Sequence, residues 1–236
     1  MTRKTKKTRK LRKVLLTVCC AALLVCVTIG ATVAYLTSTA TVENTFTVGN
    51  VKITLDEADT DNDNNTADNV TIDGKVRDTA NNYHIFPDGQ YDKDPIVHVD
   101  QNSENCYLFV KVENGLAAIE AAATIGEGDT AQQMTIADQM AANGWVPLAD
   151  VANVYYYTDG KGTTLTANAG KNIDVFSAFK ISDAVIGGER PDDAAESDTN
   201  KYLGDYADAT ITVTAYAIQA DGFDTAAEAW DAAKLA

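Results

Sequence analysis

The feature that most constrains this chain is the strict alternation in Thr210-Ile-Thr-Val-Thr-Ala-Tyr-Ala-Ile218. Successive side chains of a strand point to opposite faces, so Ile211, Val213, Ala215 and Ala217 share one side and Thr210, Thr212, Thr214 and Tyr216 the other. A helix would scatter both sets, and the segment reads as a half-buried strand. The same period groups Cys106, Leu108, Val110 and Val112 against Tyr107, Phe109 and Lys111, and it recurs in Pro95-Ile-Val-His-Val99. Shorter candidates are 43–48, 51–55, 154–157, 163–166 and 173–179. Eight or so short strands predict a mainly β fold, an antiparallel β-sandwich, and 236 residues are enough to give it a core.

Helical patterns are fewer. The spacing predicts insertions at 116–123 and 131–142, the latter ended by Asn143-Gly144, and a C-terminal helix at 225–235. In the last of these Thr225 is placed to cap and Glu228, three residues on, to complete a capping box. Ala226, Ala229, Trp230 and Ala233 draw an apolar stripe that reads as a packing face.

The amino-terminal end follows a different grammar. Eight of the 19 basic residues lie between Arg3 and Lys13, an uncharged apolar run follows from Val14 to Ala31, and Thr32-Val-Ala34 supplies small residues. This is the three-part arrangement of a secretory signal, with cleavage expected after Ala34 and Ala40 as the alternative site. Residues 1–34 are therefore read as a signal peptide and 35–236 as a single domain. An uncleaved membrane anchor is the competing reading, because 18 apolar residues approach the roughly 20 that span a bilayer. Cys19, Cys20 and Cys26 fall inside this run, behind Val18, Cys19 and Val25 rather than the small residue that precedes a lipidated cysteine. Cys106 alone remains in the mature chain, so no internal disulfide can form, and it reads as a small buried hydrophobe.

Residues 35–236 carry 11 basic against 34 acidic side chains, a net −23. Such a surface repels phosphate backbones and anionic headgroups, which argues against nucleic-acid binding and confines membrane contact to the amino-terminal segment before cleavage. Asp59, Asp61 and Asp63 alternate in an acidic stretch, 56–82, and could converge on calcium. The EF-hand glycine and its twelfth-position glutamate are both missing in either register, and the asparagines around them favour a solvated loop. His84 and His98 form no metal-binding pair on a helix, and there is no nucleophile elbow, phosphate-cradling loop or Cys-x-x-Cys. A nucleophilic Cys106 would need one of these histidines beside it in space. No catalytic residue and no cofactor is expected.

The stretches Ala34-Tyr-Leu-Thr-Ser38, Asn44-Thr-Phe-Thr-Val-Gly-Asn-Val-Lys-Ile-Thr-Leu55, Phe86-Pro-Asp-Gly-Gln-Tyr-Asp-Lys-Asp-Pro95, the strand at Cys106 and Ala215-Tyr-Ala-Ile-Gln-Ala-Asp-Gly-Phe223 together resemble the TasA/camelysin family of exported Gram-positive proteins. The turn here has Pro87-Asp88-Gly89 where the family more often has Pro-Gly directly. The resemblance implies a signal removed by a SipW-type signal peptidase, a jelly-roll-like sandwich and assembly into extracellular biofilm matrix fibres. Camelysin is grouped with proteases, yet no residue of this chain carries over as catalytic.

Strand physics supplies a mechanism for such assembly. Segment 35–48, with Tyr35, Val42 and Phe46, is rich in Thr and Val, free of proline and released by cleavage, so it is suited to pair with an exposed edge of a neighbouring copy. Beyond Glu43 it could equally form the first strand of its own sandwich. Two rivals remain: a surface-displayed binding or adhesion module held by the uncleaved anchor, with Trp145 and Tyr155-Tyr156-Tyr157 as an aromatic platform, and a secreted hydrolase with a dispersed site.

Overall fold

The strand with the clearest alternation lies at one edge of the principal sheet. In the computed structural model, which describes residues 51–61, 70–72, 75–158, 170–195 and 198–234, β14 (Ile211–Gln219) pairs along its whole length with β6 (Cys106–Asn114), and β11 (Val154–Tyr157) and β10 (Trp145–Pro147) continue the sheet in the order β10-β11-β6-β14. All pairings are antiparallel. Ala217 stands opposite Leu108 and Ala215 opposite Val110 on one face, and Tyr216 opposite Phe109 on the other. Residues Val48–Ala236 make one compact unit, and 1–47 lie outside the described residues.

A three-stranded sheet in the order β1-β5-β12 packs against the first face. It comprises β1 (Ile53–Asp56), β5 (Ile96–Val99) and β12 (Asn172–Asp174). Ile53, Leu55, Val97, Val99 and Ile173 from this sheet and Cys106, Leu108, Val110 and Val112 from the other join one apolar core, so the architecture is a mainly β sandwich with short helices. Phe179 and Ile181 close the core from β13 (Ala178–Ile181), which lies between β4 (Gln90–Asp92) and β7 (Glu120–Ala121). Two hairpins complete the strands: β2 (Val70–Ile72) with β3 (Lys75–Arg77), and β8 (Ala123–Ile125) with β9 (Gln132–Met134).

The principal sheet is apolar on its second face too. There Tyr107, Phe109, Val154 and Tyr216 meet Ala226, Ala229 and Trp230 of the C-terminal helix α2 (Ala226–Ala233), with the indole tilted 5.1 Å from the Phe109 ring and edge-on to Tyr216 at 5.5 Å. The stripe is a packing face, as its spacing indicated, although Ala233 at its end is exposed. Only half of the capping box forms: the Thr225 hydroxyl accepts from the Glu228 N–H, while the Glu228 carboxylate accepts from the N–H of Asp224.

Two helical readings give way to tertiary pairing. At 116–123 the chain instead makes a turn in which the Asn114 side chain accepts from the Leu116 N–H at 2.9 Å, buries Leu116 and Ile119, and then pairs β7 with β13. At 131–142 the first residues form β9, and helix α1 (Ile136–Ala142) begins at Thr135, whose hydroxyl and N–H exchange hydrogen bonds with Asp138 in a complete capping box. The strand read at 173–179 is split between β12 and β13. The buried amide of Gln139 sits at the break: its Oε1 accepts from the N–H groups of Ser177 and Ala178 and its Nε2 donates to the Ala178 carbonyl, so a side chain satisfies backbone groups there. The readings at 43–48 and 163–166 fall outside the described residues.

Candidate functional site

Three-stranded pairing places Thr54 opposite His98 and Asn172 opposite His98, so the face of this sheet turned away from the core is polar. Asp56 is diagonal to His98 on that face, close enough for contact across strands. Its Oδ2 lies 2.8 Å from His98 Nε2 without hydrogen-bond geometry, and His98 Nδ1 lies 2.7 Å from Asn172 Oδ1, so the amide holds the imidazole beside the buried carboxylate. Arg77, at the end of β3, covers this face: its Nε donates to Asp56 Oδ1 and its two terminal nitrogens reach Asp94 Oδ2 at 3.3 Å. Burial works against the guanidinium charge, but Asp56 and Asp94 outweigh it and hold the Arg77 pKa above its ordinary value.

One residue further on, Glu57 and Asp78 exchange backbone hydrogen bonds of 2.8 and 2.7 Å, and the Glu57 carboxylate meets Lys93 Nζ at 2.6 Å with both side chains buried. Asp94 Oδ1 also accepts from the Ala58 N–H at 2.6 Å. Lys93 and Asp94 thus act as a unit, fastening the chain after β1 to the strand entering β5. Just ahead of them, Phe86-Pro87-Asp88-Gly89 forms a turn with Asp88 at φ 61°, and a Cβ on Gly89 would come within 2.4 Å of the Tyr91 hydroxyl that accepts the Phe86 N–H.

This arrangement corrects the reading of 56–82 as a solvated loop. Asp56, Glu57 and Asp78 are buried, and 75–77 is a strand. Asp59 and Asp61 do come together, within 4.8 Å of each other and of Asp78, which periodicity did not single out, and Asp63 lies outside the described residues. Three carboxylates supply part of the six to eight oxygens that calcium takes. Hydrogen bonds inside the protein already use this group: Asp61 accepts from the Asn82 N–H at 2.6 Å, and Asp78 from those of Thr79 and Ala80.

Beside the ionic cluster opens a cleft of about 820 Å³. Leu55, Asp56 and Glu57 of β1 and its extension form one wall and Ile211, Thr212 and Val213 of β14 the other; Tyr83, His84 and Ile85 and the segments at Gly188 and Leu203 complete it. Both β1 and β14 end their sheets among the described residues. The cleft therefore borders two strands that end their sheets, with the extension of β1 bridged to Asp78 at Glu57, and it offers apolar side chains beside them.

The remaining candidates separate. Cys106 sits in the apolar core, where burial pushes its thiol up to about 11, opposite to what a thiolate nucleophile requires. His98 is held by Asn172 beside the buried Asp56 carboxylate, and His84 is exposed on the cleft wall. The aromatic platform does not form: Trp145 is 1% exposed and donates Nε1–H to the Asp174 carbonyl, while Tyr155 and Tyr157 pack toward one core and Tyr156 toward the other. Ala34, Tyr35, Val42 and Phe46 lie outside the described residues. No helix among the described residues is long and apolar enough to cross a membrane. No family model, curated protein or solved structure matches the chain.

Proposed function

We propose that the chain is a secreted structural protein of the TasA/camelysin type, processed after Ala34 by a SipW-type signal peptidase and polymerised head to tail into extracellular matrix fibres by donor-strand exchange. The observation that supports this best is the cleft beside β1 and β14, two strands that end their sheets among the described residues, lined by Leu55, Ile85, Ile211 and Val213. Segment 35–48 of a neighbouring copy is the strand it receives. Burying one face of about six residues removes roughly 300 Å² of apolar area, about 7 kcal/mol before ordering costs. A contact between different surfaces of identical copies does not close on itself, so repetition makes a filament.

A mature chain beginning at Tyr35 and one beginning at Glu43 test the proposal. Electron microscopy is expected to show fibres from the first alone, with the second folded and monomeric, and a synthetic 35–48 peptide is expected to inhibit assembly. Normal fibres from the shorter chain would remove donor-strand exchange, and recovery of only the full 25.2 kDa chain in membranes would remove secretion.

A further inference from the structure

Two buried side-chain atoms among the described residues, Asp56 Oδ2 and His98 Nε2, make no hydrogen bond, yet they lie 2.8 Å apart. At the opposite side of the ring His98 Nδ1 lies 2.7 Å from Asn172 Oδ1. A neutral imidazole is a donor at one nitrogen and an acceptor at the other. Here each nitrogen meets an oxygen that only accepts. With the proton on Nδ1, the Nε2 lone pair faces a carboxylate; with the proton on Nε2, the Nδ1 lone pair faces an amide oxygen. The imidazolium alone avoids both conflicts, because it donates to Asn172 and sets a positive charge beside Asp56, an attraction that does not require hydrogen-bond alignment.

The surrounding charges agree. Arg77 faces two carboxylates, Asp56 and Asp94, so this cluster is one positive charge short, and an imidazolium supplies it. The proton cannot reside on Asp56 without taking from Arg77 its buried counter-charge. On the same face of the sheet Lys52 and Asp100 pair with each other at 3.2 Å, Thr54 and Ile96 are uncharged, and Asp174 adds a carboxylate diagonal to the ring on β12.

We infer that His98 is a proton-operated clasp of the three-stranded sheet. It stands on β5, the central strand, and its two partners stand on the outer ones, Asp56 on β1 and Asn172 on β12. Charged, the ring ties both to the centre; uncharged, it must give up one. Histidine is the side chain that changes charge near neutrality, and a proton held more tightly by the folded chain than by the unfolded one stabilises the fold at low pH and is lost as pH rises. Leu55 and Asp56 of β1 line the cleft, so alkaline release loosens that wall. The clasp acts within one domain and does not depend on polymerisation.

The test uses the isotope-labelled chain from Tyr35, whose two histidines are told apart by His84→Gln. Long-range proton–nitrogen spectra distinguish the two neutral tautomers from the imidazolium. At about pH 7 the His98 ring is expected to carry a proton on both nitrogens, and Asp56→Asn is expected to remove one of them. A neutral His98 ring at that pH in the unaltered chain, with its proton on either nitrogen, would overturn the clasp, and this reading needs no variant that could misfold. Urea denaturation between about pH 6 and pH 8.5 supplies the second measure: the folding equilibrium of the unaltered chain is expected to fall roughly tenfold further than that of His98→Gln. Equal losses in the two chains would show that the ring does not fasten the sheet.

Discussion

The two sheets of the sandwich solve the same problem in opposite ways. The four-stranded sheet is apolar on both faces and is covered by the main core on one side and by the Trp230 helix on the other. The three-stranded sheet is apolar only toward the core; its other face holds Asp56, His98 and Asn172 under Arg77. Apolar contacts are non-directional and tolerate repacking, whereas buried charges require every partner in place. The second sheet is therefore the more specific in its partners, and it borders the cleft.

Removing bulk from the first region has the largest expected effect. Phe109→Ala deletes a fully buried ring packed on Trp230 and is expected to cost about 3–5 kcal/mol by urea denaturation, enough to threaten folding outright. A loss below about 1 kcal/mol would show that the helix does not cover this face. Asp56→Ala, in the second region, leaves Arg77 with Asp94 alone and His98 without its carboxylate, with an expected loss of about 3 kcal/mol. Replacing the ionic cluster by apolar residues of equal volume at both positions should recover part of that loss; failure to do so would mean that the charges themselves stabilise the sheet.

Gln139→Ala tests the junction between sheets. It unpairs two N–H groups and a carbonyl where β12 ends and β13 begins, and is expected to cost about 2 kcal/mol, with faster hydrogen exchange at Ser177 and Ala178. Unchanged exchange would show that neighbouring strands, not this amide, hold the break. The smallest effect lies on the surface, where hydrogen bonding to Arg190 lowers the Asp205 pKa from its ordinary value. A depressed folded value contributes stability that is present above the unfolded carboxylate range and lost as pH falls through the folded value. An NMR titration should give Asp205 a midpoint below that of an ordinary aspartate, and Arg190→Gln should raise it; an unmoved midpoint would dismiss the pair.

Much of the first sheet was legible in advance, because strand period is a local property. The two faces of Cys106–Asn114 and Ile211–Gln219, and the packing role of Trp230, follow from which residues sit two or four places apart. The candidate site was legible only in part. Asp59 and Asp61 stood out as alternating acids, but Asp78 joins them through a backbone bridge to Glu57 that no spacing announces. A signal for α1 was available in Thr135-x-x-Asp138, hidden because Asp stands where a capping box more often has Glu or Gln.

By itself the sequence determined which segments extend, which faces are apolar, and that the amino-terminal 34 residues obey a different grammar from the rest. Tertiary structure alone decided where the strand read at 173–179 breaks, which acids are buried and which two strand edges border the cleft. The physical reason is separation along the chain. Periodicity reports an environment repeated every few residues, whereas Asp56 meets Arg77 across 21 positions, Glu57 meets Lys93 across 36 and Gln139 meets Ala178 across 39. A charge or an amide can be buried only where such a distant partner arrives to satisfy it.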